Sequence, residues 1–214
     1  MSAYVLYGRR GWGSVIVEAQ LAWLELPFEF IEVDDLFASS EARALLARVN
    51  PVSQVPTLVL EDGRVMTESA AITLHLADVT GRVDLVPAAR EDCRPMFLRW
   101  LVFLVANVYP TFTYADDPQR FLQDADAARE FRKAVDAYAQ RLWGIVEAEA
   151  AAPWLLGARF SALDIYVAAM TRWRPRRPWF AEHAPRLHGI GERCEAEPRL
   201  QGVWQRNLAA LDLS

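Results

Sequence analysis

A proline set directly ahead of a short apolar run constrains this chain more than any other feature. The stretch 50–78 reads NPVSQVPTLVLEDGRVMTESAAITLHLAD, with Val55-Pro56 leading into Thr57-Leu58-Val59-Leu60. An X-Pro bond adopts cis for only about 0.5–1 kcal/mol. A cis bond here turns the N–H and C=O of Val55 away from the sheet, leaving a short unpaired edge to which an extended peptide can add. Glu61-Asp62-Gly63 supplies turn chemistry, and Arg64-Val65-Met66-Thr67 alternates again, so the two runs form a hairpin. A helix then opens at Glu68-Ser69. Its free N–H groups and positive dipole end favour a carboxylate, and Glu68 beside them can hold an ammonium. Such a hairpin, with a ligand site at each end, suits a small peptide with a zwitterionic head.

Upstream, Ala3 to Tyr7 is apolar and rich in β-formers, and Gly8 to Gly13 is a loop ending at Ser14. Helical spacing from Val15 through Trp23 stops at Pro27, and Phe28 to Val33 alternates as a strand. A short helix from about Glu41 to Val49 completes the order βαβαββα, with a parallel pair, a right-handed crossover and an antiparallel edge. Residues 81–88 read as a linker. Beyond it only helical patterns appear: one from Ala88 to Tyr114 with a kink at Pro110, one from Asp124 to Glu149, one from Ser161 and shorter ones from Trp179 to Ala210. Ser161 and Asp164 have the spacing of a helix cap, so Asp164 is read as a fold residue.

A net charge of −5 argues against a nucleic-acid or anionic-membrane surface. Trp173, Arg174, Arg176, Arg177 and Trp179 form a local basic aromatic cluster, read as a helix end or pocket wall. The apolar run Trp100–Val108 is too short to span a bilayer. Cys93 and Cys194 are far apart, no CxxC occurs, and the first residues run straight into a strand pattern without a leader. A cytoplasmic setting is expected. The three histidines show no metal spacing, and no metal is expected.

The residues Asn50-Pro51, Gln54-Val55-Pro56 and Glu68-Ser69-Ala70-Ala71-Ile72 resemble the glutathione site of the cytosolic glutathione S-transferase superfamily, and Gly157 with Ser161–Asp164 resembles its helical-domain cap. The arginine-rich, lysine-poor composition suits a bacterial member. The resemblance implies a thioredoxin-like domain over 1–80 that binds glutathione as co-substrate, and an all-α domain over 89–214 that contributes the acceptor pocket. It implies that Val55 and Pro56 hold the cysteinyl part of glutathione, Glu68 and Ser69 the γ-glutamyl head, and Gln54 or Ser53 the glycyl carboxylate, with Arg43 a further candidate. Ser53 departs from the glycine common at that place. A homodimer and a role in detoxification are likewise implied.

A thiol must ionise to become a good nucleophile, and a hydroxyl at a helix N-terminus favours the thiolate. Ser14 matches the serine-type position of the family, with Tyr7 the alternative. Trp12, Asn107, Tyr109 and Tyr114 are candidates for the acceptor pocket. The expected activity is attack of glutathione thiolate on a small apolar electrophile. The alternative is a glutathione-binding or protein-interaction module that keeps the fold without turnover.

Overall fold

The computed structural model describes residues 4–211. It begins with the expected βαβαββα order: β1 Tyr4–Gly8, α1 Ser14–Trp23, β2 Phe28–Glu32, α2 Ser40–Leu46, β3 Thr57–Val59, β4 Val65–Met66 and α3 Ser69–Thr80. The sheet order is β2-β1-β3-β4. β1 lies parallel to β2, with Leu6 opposite Phe30, and antiparallel to β3, with Leu6 opposite Leu58. This is the thioredoxin-like arrangement. Alternation sends Tyr4, Leu6 and Gly8 inward, while Val5 and Tyr7 face the other side half-buried. The hairpin turns where Gly63 takes φ +84°, its N–H bonded to the Leu60 carbonyl. α3 ends at Gly81, whose φ of +64° is the left-handed helix stop that glycine favours.

Helices follow: α4 Arg94–Phe103, α5 Tyr109–Asp116, α6 Ala125–Glu149, α7 Ala162–Met170, α8 Arg177–His183, α9 Pro185–Ala196 and α10 Gln201–Leu211. α4 starts later than expected, with Pro95 in its first turn, where a missing N–H does no harm. A π-helical turn, Leu104–Val108, joins α4 to α5 just ahead of Pro110. The wider turn accommodates a proline that has no N–H for the regular ladder. The resulting run Arg94–Asp116 is long and apolar enough to cross a membrane by composition. Phe97, Trp100, Leu101, Leu104 and Val108 are nevertheless buried, as in a core helix.

The chain divides into two compact units, residues up to Val86 together with those from Glu195 onward, and Pro87–Cys194. The packing divides the chain at other points than the expected 81–88 linker and 89–214 helical domain. The first part of the 81–88 stretch is structured within the first unit, where Leu85 and Val86 are buried and Trp23 Nε1 donates to Asp84 at 2.8 Å. The helical domain expected over 89–214 also loses α10, which packs on α1. The reason is polar as well as apolar. Val203 and Trp204 are buried, and Asn207 and Arg206 both donate to Glu18 of α1.

In the second unit Asp164 caps α7. One carboxylate oxygen accepts the Ser161 N–H at 2.7 Å, and the other accepts the Leu155 N–H at 2.8 Å. Burial pushes the carboxyl up to about 6, against the pull of these N–H groups. The folded protein therefore holds a proton where the unfolded chain has lost it, so this contribution to stability falls as pH rises from about 4 to about 6 and is level above. Denaturant titrations across that range should show this component flattened in Asp164→Asn. Asp164→Ala should cost about 3 kcal/mol at neutral pH, through loss of the cap and two stranded N–H groups.

Candidate functional site

The turn before β3 is organised by Asn50, which is 3 % exposed. Its Nδ2 donates to the Gln54 carbonyl and to Thr57 Oγ1, each at 3.0 Å, and its Oδ1 accepts the Val52 N–H at 3.1 Å. Thr57 Oγ1 donates to the same Gln54 carbonyl at 2.7 Å. Side chains thus complete the hydrogen bonds of a segment that has left the sheet. The Val55-Pro56 bond is cis, and among the described residues neither the N–H nor the C=O of Val55 has a hydrogen-bond partner.

Ser53 takes φ +53°, in the left-handed region that glycine favours, which explains why serine is a departure there. Its hydroxyl donates to the Arg43 carbonyl at 3.0 Å, while the Gln54 residue is exposed. Arg43 donates to the carbonyls of Leu36 and Phe37, so its guanidinium already closes the turn ahead of α2. At the other end of the hairpin, Glu68 is exposed with φ +63°. The Ile72 N–H bonds the Glu68 carbonyl, and the N–H groups of Ser69 and Ala70 have no acceptor among the described residues. A non-glycine residue held at such a φ costs roughly 1–3 kcal/mol, and strain of this kind gathers at ligand sites.

The loop from Gly8 to Ser14 folds back on itself. Ser14 is 0 % exposed. Its hydroxyl accepts the Arg9 N–H at 3.0 Å and donates to the Arg9 carbonyl at 2.9 Å. The expected thiol donor therefore spends its only proton inside its own loop, closing it into a ring. The Gly13 and Ser14 N–H groups at the head of α1 have no acceptor among the described residues. Tyr7 lines a cavity of about 360 Å³ with Ile31, Val33, Ala42 and Leu46. It packs on the buried cluster Val33, Leu36, Ala42 and Leu46, as do Trp12 and Val55. Trp12 also lies on Phe37, ring centroids 4.9 Å apart, with the Arg9 guanidinium 5.5 Å from its ring. One apolar patch thus gathers Trp12 of the loop, Tyr7 of β1 and the Val55 turn.

In the second unit, Asn107 is exposed in the π-helical turn and Tyr114 is exposed beside Phe121. Tyr109 is surrounded edge-on by Phe112 and Trp173, and desolvation first, then Tyr166 and Asp116, holds its phenol above the ordinary range. Arg174 pairs with Asp116 of α5 at 3.1 Å, which offsets one charge of the basic aromatic cluster, and Arg177 donates to the Ala168 carbonyl. Among the described residues no group of His, Cys, Asp and Glu is arranged to hold a metal.

Sequence reasoning assigned no role to Asn50 or Asn207. Asn50 stood inside the recognised stretch, and an asparagine opening a turn before a strand was the available signal. Asn207 gave none.

Residues 15–79 match the family of glutathione S-transferase N-terminal domains. The chain is 39% identical over 203 residues, 94% of this chain and 97% of the relative, to the GST-like protein YncG of Escherichia coli K12. It is 31% identical over 154 residues, 72% of this chain and 73% of the relative, to glutathione S-transferase GstA of Escherichia coli O157:H7. The crystal structure of a glutathione transferase homologue from Sulfitobacter with bound glutathione covers 96% of this chain and 98% of its own at TM-score 0.83 and 20% identity. The chain belongs to the glutathione S-transferase superfamily.

Two substitutions test the geometry. Asn50→Ala should lower stability by about 3 kcal/mol, measured by denaturant unfolding, because a buried side chain with several hydrogen bonds is lost. In Gly8→Ala the new Cβ would lie 2.6 Å from Ser14 Cβ and 2.8 Å from Phe30 Cε2. The same measurement should show about 1–3 kcal/mol of destabilisation from overpacking.

Proposed function

We propose that the protein is a glutathione transferase in which glutathione lies along the Val55–Pro56 turn and is ionised at the head of α1. The observation that carries this reading is the open backbone of Val55, beside the same apolar cluster on which Trp12 packs. The cysteinyl N–H and C=O of the peptide complete the unmade bonds of Val55, as in strand addition. The γ-glutamyl carboxylate takes the free N–H groups of Ser69 and Ala70, and Glu68 takes the ammonium. Gln54, exposed on the turn, reaches for the glycyl end, with Ser53 beside it. The Sulfitobacter homologue carries glutathione on the same fold, which supports this assignment of ligand.

The thiolate is held by the N–H groups of Gly13 and Ser14, with the positive end of α1 behind them. Ser14 contributes by closing the loop through Arg9, so its hydroxyl acts on geometry. The thiolate then attacks an electrophilic carbon of a small substrate. A C–S bond forms, and the displaced group leaves with the electron pair, or the pair stays on the substrate and collects a proton from water.

Ultraviolet titration of bound glutathione and turnover of a model electrophile test this reading. Wild type should depress the thiol well below its ordinary value of about 8.5. In Ser14→Ala the thiol should stay depressed, and stability should fall by about 1–3 kcal/mol through stranding of the Arg9 groups. A thiol restored to its ordinary value in Ser14→Ala at unchanged stability returns the donor role to the hydroxyl, with Tyr7→Phe the next variant. Glutathione bound with an ordinary thiol and no turnover would make the protein a binding module.

A further inference from the structure

The loop that would activate the thiol is anchored from the far end of the chain. Gly11, at φ +78°, donates its N–H to Asn207 Oδ1 at 3.0 Å. Asn207, on α10, is 2 % exposed, and its Nδ2 donates to Glu18 Oε2 at 2.8 Å and to the Val203 carbonyl at 2.9 Å. Glu18 is 3 % exposed and receives Arg206 Nη2 on its other oxygen at 2.8 Å. The carboxamide has a fixed sense here. Its amide is committed to Glu18 and Val203, so its oxygen must face Gly11.

The ion pairs that tie the loop at its surface are weaker. Arg9 pairs with Asp34 at 3.3 Å and Arg10 with Glu32 at 3.1 Å, each with a well-exposed acid. Exposed pairs contribute about 0–1 kcal/mol and are screened by salt. A cavity of about 260 Å³, lined by Arg10, Glu18, Phe28, Phe30, Glu32 and Arg206, borders the anchor and gives Arg10 room to move if the Gly11 bond is lost. The buried Asn207–Gly11 bond holds the middle of the loop from outside it, where the Ser14–Arg9 bonds tie its two ends to each other. Trp12 and Gly13 follow Gly11 directly, so the place of Gly11 sets where the head of α1 presents its N–H groups.

We propose that Asn207, oriented by Glu18, is a positioning residue for thiol activation: it fixes Gly11 and through it the N–H groups that hold the thiolate. The inference rests on the proposed glutathione reading. A carboxylate at position 207 cannot donate, so Asn207→Asp sets two carboxylates face to face. Glu18→Gln with Asn207→Asp restores the bond between positions 18 and 207 in reverse, while the side-chain bond to the Val203 carbonyl is lost. The new amide nitrogen at position 18 then donates, and the new carboxylate at position 207 accepts both from it and from the Gly11 N–H. The amide oxygen at position 18 still accepts from Arg206.

The test measures three quantities on the full chain: amide exchange at Gly11, the thiol pKa of bound glutathione, and the pH profile of kcat/KM. In the wild type the Gly11 amide should be protected; rapid exchange there overturns the proposal. In Asn207→Ala and Asn207→Asp the thiol pKa should rise by about one unit, with kcat/KM below that pKa falling roughly tenfold. Glutathione affinity, set at Val55 and Ser69, should change less than threefold. The double variant should bring the thiol pKa back to within a few tenths of a unit of the wild type. A merely structural role would lower stability and leave the thiol pKa unmoved, and that result overturns the proposal, as does an uncorrected pKa in a folded double variant. If the wild type itself binds glutathione with an ordinary thiol, the underlying functional reading fails first, and is distinguished from a failure of Asn207 alone.

Discussion

The buried carboxamide of Asn50 is the interaction on which the rest of the site depends. A strand entering a sheet satisfies its backbone by pairing with neighbours, and a segment that leaves the sheet must find other partners or face water. Asn50 and Thr57 supply those partners to Val52 and Gln54. Because the flanks are held by side chains, Val55 can leave its own N–H and C=O unmade without loosening the turn. An edge of this kind is ordinarily a liability. Here it is one residue long, half-buried, and set beside a small apolar cluster.

The same economy recurs at the other positions that matter. Ser14 closes its loop with a hydroxyl in place of a ladder, Asp164 closes α7 with a carboxylate, and Asn207 holds Gly11 with an amide oxygen. In each case a short polar side chain completes hydrogen bonds so that neighbouring backbone groups keep an irregular path. These buried side chains are worth more than the many ion pairs on the surface, where solvent screens the charges.

The sequence made the architecture of the first unit legible because each element there is specified within its own residues: alternation in 4–8 and 28–32, turn chemistry at Asp62-Gly63, a helix opening at Ser69. The cis turn at Val55-Pro56 and the helix start at Ser69 were legible for the same reason, since both are local signatures. Ser14 was placed correctly at the head of a helix, but the direction of its hydroxyl depends on Arg9 folding back over it. Nothing in loop composition distinguishes a hydroxyl turned out from one turned in. The allegiance of α10 was illegible for a stronger reason. Helical periodicity shows a face to be buried without saying which partner buries it, and the partner, Glu18, lies 188 residues from Arg206.

That last contact makes the first unit discontinuous. Its sheet and first three helices are all made before residue 87, yet α10 comes only after the whole of Pro87–Cys194 has been added. Domains emerging from the ribosome generally fold in order as units. Here the sheet can assemble early, but the loop beside it remains without its inner anchor, and Glu18 without Arg206 and Asn207, until the second unit has been synthesised. Order of synthesis thus separates the turn proposed to take a peptide backbone from the loop proposed to make its sulfur reactive. The latter is completed last.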